Sequence, residues 1–345
     1  MVLYKYCFLI KNMNKRKLDK IVKSLLQPKK GILAADESFA SIAKRFTKIN
    51  LESTPENRRK YREMLFTAPK AKKYLSGVIL FEETLYQKNN ENVLFTDFLK
   101  KNKINPGIKV DLGTEFFPDN KVEKYTLGLD DLAERIKKYK ETGVVFAKWR
   151  AIFNIGKDLP SEECLNRNAF DLAHYAFICQ ENDIVPIVEP EVLMDGRHDI
   201  EACYETTKKV LNKVFLELKK KNVYLPGILL KPNMIISGLE NKIDLPADVA
   251  NKTIACFTES VPAEVKGIVF LSGGQSEDQA CANLNAINNK KIFKKLPWRL
   301  TYSFGRALQN SALEVWQGKD ENFATAQKVF LLSAKKASLA SRGKL

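Results

Sequence analysis

The chemically promising residues of this 345-residue chain stand at the abrupt ends of short apolar runs. "PGILLKPNM" (226–234) puts Lys231 after such a run and before a proline. Lysine is among the residues least often buried, and an unpaired ammonium in apolar surroundings is costly. "DIVPIVEPE" (183–191) ends in Glu189 and Glu191, whose two-residue spacing puts both on one face of a continuing strand. "GILAADES" (31–38) ends in Asp36 and Ser38, "GIKVDLG" (107–113) carries Lys109 and Asp111, and "GVVFAKWR" (143–150) carries Lys148 and Arg150. A neutral lysine amine attacks a carbonyl to form a Schiff base, and nearby carboxylates can shuttle the protons as water leaves the carbinolamine. Lys109, Lys148 and Lys231, if drawn together, would disfavour one another's protonation, and partial burial would act the same way. Of the three, Lys231 ends the most continuously apolar run. The local sequence also allows it a second role, as a salt-bridge partner of Glu189 or Glu191.

Two further stretches point to phosphate. "LSGGQS" (271–276) offers Ser272, Gly273 and Gly274 just before a helix-like segment, where exposed backbone N–H groups and a helix N-terminus attract anions. "SFGRALQ" (303–309) repeats the arrangement with Ser303, Gly305 and the bidentate donor Arg306.

These residues need a scaffold that converges them. Eight apolar runs, completed by "GVILFEE" (77–83), "GIVFLSGG" (267–274) and "WRLTYSFGR" (298–306), start about 30 to 46 residues apart. Most are separated by helix-period stretches such as 129–142, 206–222 and 276–289, with weak helical signal around 93–102. Short runs that are apolar on both faces belong in a parallel sheet covered by helices. Eight such units predict a single-domain (β/α)₈ barrel, whose strand C-termini carry catalytic side chains and whose seventh and eighth loops often bind phosphate. No linker splits the chain. An N-terminal extension with a helix (1–27) precedes the barrel (28–345), which includes a C-terminal helical region. An open doubly wound sheet would show a glycine-rich phosphate turn after the first strand, and "GILAADES" has none.

Bulk composition narrows the function classes. The net charge of +16 suits anionic partners, but the basic residues are spread along the chain and read mostly as solvated surface. No aromatic–basic motif points to specific nucleic-acid binding. Six scattered cysteines without a CxxC pair fit reduced thiols in a cytoplasmic protein. With only His174 and His198, 24 positions apart, a histidine-ligated zinc site is not expected, and no metal or other cofactor is called for. The first ten residues are apolar but too short to span a membrane, and basic residues follow them rather than precede them as in a signal peptide.

Taken jointly, "GILAADES", "GVILFEETLYQK", "GIKVD", "FAKWR", "VPIVEPE", "LLKPNM", "FLSGGQSE" and "SFGRALQ" resemble the signature blocks of the class I fructose-1,6-bisphosphate aldolases, in order, from about residue 28 to 343. The resemblance implies a metal-independent (β/α)₈ lyase, commonly a cytoplasmic homotetramer of glycolysis and gluconeogenesis. Such an enzyme reversibly splits fructose 1,6-bisphosphate into dihydroxyacetone phosphate and glyceraldehyde 3-phosphate. It further implies Lys231 as the Schiff-base residue, and Glu189 as main acid/base group, assisted by Glu191 and Lys148. Asp36 would be the base that takes the proton of the fourth-carbon hydroxyl. Ser272, Gly273, Gly305 and Arg306 would hold the first phosphate; Ser38, Ser41, Lys109 and Arg150 would serve the hydroxyls and the second phosphate. Another Schiff-base sugar-phosphate aldolase, or a basic protein binding acidic filaments or cell-surface tails, are the alternatives. Four positions depart from the family pattern: Leu112 in place of a second lysine, Phe39 and Ala40 in "DESFA", and Phe304 in place of tyrosine. The sequence as given ends in "SRGKL" rather than the tyrosine-ended tail of many eukaryotic members, so slower enamine protonation is the expectation.

Overall fold

The computed structural model describes residues 13–345 except Lys290 and Lys294, so residues 1–12 of the N-terminal extension, Cys7 among them, lie outside the described residues. Among the described residues ten strands form: β1 (Gly31–Ala35), β2 (Leu75–Leu80), β3 (Asn105–Lys109), β4 (Thr114–Phe117), β5 (Asn120–Thr126), β6 (Phe146–Phe153), β7 (Val185–Val192), β8 (Leu229–Leu230), β9 (Gly267–Phe270) and β10 (Arg299–Phe304). Twelve helices accompany them: α1 (Lys15–Leu25), α2 (Phe39–Thr47), α3 (Pro55–Phe66), α4 (Glu82–Leu85), α5 (Phe95–Lys101), α6 (Leu132–Glu141), α7 (Glu162–Glu181), α8 (Ile200–Lys220), α9 (Pro246–Ser260), α10 (Glu277–Ile287), α11 (Arg306–Trp316) and α12 (Phe323–Ala340).

Eight strands close into an all-parallel barrel in the order β1-β10-β9-β8-β7-β6-β3-β2, sealed by β1–β2 pairing. Each overlaps one of the eight apolar runs, so the expected barrel is the observed one. The runs are apolar on both faces because both are covered. One face meets the helical layer through buried residues such as Trp149, Tyr175, Phe257 and Phe270. The other fills the barrel interior with Ile32, Ile79, Phe146, Val185, Ile187, Leu229 and Val269. At roughly 1.5–3 kcal/mol for each large apolar side chain taken from water, this core is the main term holding the strand ends in place.

Helix α1 closes the floor of the barrel. Leu18, Ile21, Val22 and Leu25 fall on one helical face by spacing and pack onto the interior cluster. Asn14 caps the helix by accepting from Lys17 N at 3.0 Å.

The structure adds one element that the runs did not announce, the antiparallel β4–β5 hairpin, whose β5 lies against β6 and α7. The weak helical signal before β3 resolves into the short α4 and α5. Among the described residues, no helix is long and apolar enough to cross a membrane.

Candidate active site

At the C-terminal mouth of the barrel lies a cleft of about 870 Å³. Strand β7 presents Glu189 and Glu191 to it together, as their spacing requires. Strand β8 stops at Leu230, and Pro232, which has no N–H, prevents its continuation. Lys231 falls between, its ammonium 2.8 Å from Glu189 Oε1. The other Glu189 oxygen is 3.4 Å from Lys148 Nζ, which in turn lies 2.7 Å from Asp36 Oδ2 and 4.0 Å from Asp111 Oδ2. Charges therefore alternate along Lys231, Glu189, Lys148 and Asp36. Lys231, Glu189 and Lys148 are buried and Asp36 nearly so.

This ring corrects one expectation. Lys148 is not driven toward the neutral amine by neighbouring lysines. Burial alone would lower its pKa, but Asp36, Glu189 and Asp111 outweigh burial and raise it. Burial would likewise raise Asp36, yet Lys148 and Lys231 pull its carboxyl down to about 2. Lys148 is thus a fixed cation and Asp36 a fixed anion. Lys231 sits in the cleft and is a salt-bridge partner of Glu189, the second of the two roles its sequence allowed.

Glu191 is engaged elsewhere. It pairs with Arg150, which outweighs burial and holds the carboxyl below its usual range. Lys109 pairs with Asp111 at 2.6 Å and donates to its backbone oxygen at 2.5 Å.

Two groups of cleft residues suit anions. Ser38 is the N-cap of α2, accepting from Ser41 N at 3.4 Å and donating to Ser41 Oγ at 3.1 Å, and Lys109 also lines the cleft. Ser272, Gly273, Ser303, Gly305 and Arg306 form the second group. Helix α11 begins at Arg306 on a Gly305 cap that supplies no side-chain acceptor, and buried Ser303 Oγ has no hydrogen-bond partner. Free donors at a helix start beside an unpaired hydroxyl are what a phosphate oxygen needs. Gly274 is the one sequence candidate not lining this cleft. It lies at a neighbouring cavity of about 180 Å³, at φ +74°, shaping the turn of the Gly-Gly loop.

Several cleft residues had no strand-end signal: Lys44 and Arg45 on α2, Lys48 at its C-cap, Tyr139 on α6, and Thr114. The α2 residues continue the Ser38–Ser41 face by helical spacing, which was readable once a helix was placed there. Arg45 also joins a buried network with Glu37, Tyr61 (3.0 Å) and Gln309 (2.6 Å) that ties α2, α3 and α11 together behind Asp36. Leu112 lines the cleft and is 58% exposed, whereas Phe39, also exposed, packs edge-on to Phe81 beneath Arg58. Phe304 is buried in the core next to Tyr302. His174 stacks on Phe170 in α7, and neither histidine lines the cleft. The five cysteines among the described residues are free and buried.

A closed parallel barrel whose mouth holds a buried lysine–carboxylate chain beside anion-suited residues is a (β/α)₈ architecture with a site able to take a small anionic carbonyl compound. Residues 17–345 match the family model "Fructose-bisphosphate aldolase class-I". The chain is 53% identical over 317 residues to fructose-bisphosphate aldolase 4, cytosolic, of Arabidopsis thaliana, covering 92% of this chain and 80% of that one. It is 49% identical over 339 residues to the fructose-bisphosphate aldolase of Dictyostelium discoideum, covering 96% and 94%. A Plasmodium falciparum fructose-bisphosphate aldolase, solved in complex with TRAP and a small-molecule inhibitor, superposes with a TM-score of 0.93 at 49% identity, covering 95% of both chains. The protein belongs to the class-I fructose-bisphosphate aldolase family and is a lyase.

Proposed function

We propose that the cleft cleaves fructose 1,6-bisphosphate reversibly through a Schiff base on Lys231, with roles as follows. Lys231 gives a proton to Glu189, its amine adds to the second-carbon carbonyl of the open-chain sugar, and the added nitrogen passes a proton to the resulting alkoxide to give the neutral carbinolamine. Glu189 then returns a proton to the departing carbinolamine hydroxyl, and the iminium forms. Asp36 takes the proton of the fourth-carbon hydroxyl. The bond between the third and fourth carbons breaks, its electron pair enters the iminium to give an enamine, and glyceraldehyde 3-phosphate leaves. Protonation of the enamine and hydrolysis release dihydroxyacetone phosphate.

Lys148 stays charged, holds Asp36 ionised and supports the developing alkoxide. Glu191 orients Arg150. Ser272, Gly273, Ser303, Gly305 and Arg306 hold one phosphate, while Ser38, Ser41, Lys109 and Arg150 serve the hydroxyls and the other. The observation that carries this reading is the 2.8 Å contact of Lys231 with Glu189 inside a cleft that also holds Asp36.

The class-I family runs this chemistry through a Schiff base and without metal. We further propose a homotetramer, residues 28–345 as a single barrel domain after an extension and helix, and a cytoplasmic location. Family membership and the cytosolic plant relatives support these readings.

Borohydride reduction with dihydroxyacetone phosphate in the presence of a chelator, followed by peptide mass mapping, tests the mechanism. An adduct on Lys231 is expected. No adduct on the folded protein would overturn it. Faster cleavage of fructose 1,6-bisphosphate than of fructose 1-phosphate is expected from the two groups of anion-suited residues.

A further inference from the structure

We propose that Asn233 is a positioning residue that sets the spacing between Lys231 and the two glutamates of β7, an inference that rests on the roles given above to Lys231 and Glu189. In a parallel ladder, the N–H and C=O of one residue point to the same neighbouring strand, and successive residues alternate sides. Lys231 N donates to Val188 O at 2.8 Å, so residues 231 and 233 face β7. The Pro232 carbonyl faces the other way and accepts from Leu271 N at 3.1 Å.

The matching donors on β7 belong to residues 190 and 192. Residue 190 is proline and has no N–H. Backbone pairing of β7 with β8 therefore ends level with the proposed nucleophile. The next donor, Val192 N–H, goes to the side chain instead, 3.1 Å from Asn233 Oδ1. This amide oxygen stands in for the ladder bond that the chain no longer makes after Lys231. Its own orientation is fixed, because Asn233 Nδ2 donates to Met234 O at 3.1 Å and to Thr207 Oγ1 at 3.3 Å. Asn233 is buried, with 1% exposure, so water does not replace it as acceptor.

Glu189 and Glu191 lie between these two points of attachment, at Val188 and Val192. On its far edge β7 is held by continuous pairing with β6. On the edge facing Lys231, the Asn233 side chain is the second tie. Without it, the end of β7 is free to swing on β6, and the Glu189–Lys231 contact lengthens while the overall fold persists.

The test compares the wild type with Asn233→Ala and Thr207→Val. The latter removes a partner of Nδ2 and leaves the Oδ1 bond in place. For Asn233→Ala, kcat should fall at least tenfold, with KM within threefold. The rate of borohydride trapping at Lys231 should fall by the same factor, and the pH profile of kcat should shift. Thr207→Val should stay within about twofold of the wild type in each. Wild-type rates and pH profile in folded Asn233→Ala would overturn the inference, as would an equal loss in Thr207→Val. If Asn233→Ala does not fold, Asn233→Ser is judged by the same criteria. Failure to trap wild-type Lys231 would instead overturn the reading of Lys231, and this inference with it.

Discussion

A Cβ placed on Gly273 would stand 2.9 Å from Glu191 Oε1, so the first glycine of the Gly-Gly loop and the second glutamate of β7 are in direct contact. Gly273 leaves room for a carboxylate that is itself held by Arg150. The proposed phosphate cradle and the carboxylate pair are thus one packed unit. Replacing Gly273 by alanine should push Glu191 or the loop aside. Losing one charge-assisted hydrogen bond to phosphate costs about 1.5–3 kcal/mol, so KM for fructose 1,6-bisphosphate should rise roughly ten- to a hundredfold. The kcat should change by less than about fivefold. Steady-state kinetics check this, and an unchanged KM would place the phosphate elsewhere.

Asp36 carries a pH signature. Its folded pKa of about 2 lies below the ordinary 3.8, so its ionisation favours the folded state above pH 3.8 and that contribution is lost as pH falls toward 2. By linkage the contribution is on the order of 2 kcal/mol. Urea titrations at pH 5 and 2.5 should show a larger stability drop in the wild type than in Asp36→Asn. The same variant should cleave at least about a hundredfold more slowly while still trapping dihydroxyacetone phosphate on Lys231. Equal losses in both assays would assign Asp36 to an earlier step.

Leu112 offers a gain-of-function test. It is an exposed apolar residue at the cleft, near Lys109 in sequence. Leu112→Lys should lower KM for the bisphosphate about two- to fivefold at low salt, the scale of an exposed ion pair, and leave fructose 1-phosphate unchanged. The same shift for both substrates would argue that position 112 does not sense the second phosphate.

Leu25 on α1 is fully buried against the barrel interior. Leu25→Ala should destabilise the protein by about 2–4 kcal/mol, measured by urea denaturation, with kcat at 25 °C within about twofold for the folded fraction. A cost below about 1 kcal/mol would mean that α1 is not part of the cooperative unit.

The barrel was legible because every strand is a short run apolar on both faces, and a parallel sheet under helices imposes that pattern. The β4–β5 hairpin was not. "TEFF" and "NKVEKYT" mix charged and apolar residues on strands that remain partly exposed, and no core periodicity marks them. Lys231, Glu189 and Asp36 were legible as polar residues that end apolar runs. What could not be read was how the charges are matched across strands. Three lysines on separate strands suggest mutual repulsion until barrel closure interleaves them with Asp36, Asp111 and Glu189. Arg45 was hidden for a different reason. It reaches the cleft from a helix, where no strand terminus flags it.

The seat of α1 on the barrel floor has a consequence for traffic. With Leu18, Ile21, Val22 and Leu25 filling the end opposite the cleft, the described residues leave the barrel one doorway. On the roles proposed above, substrate and both products share it. The fragment without a covalent tether to Lys231 then leaves first, and the tethered one follows after hydrolysis.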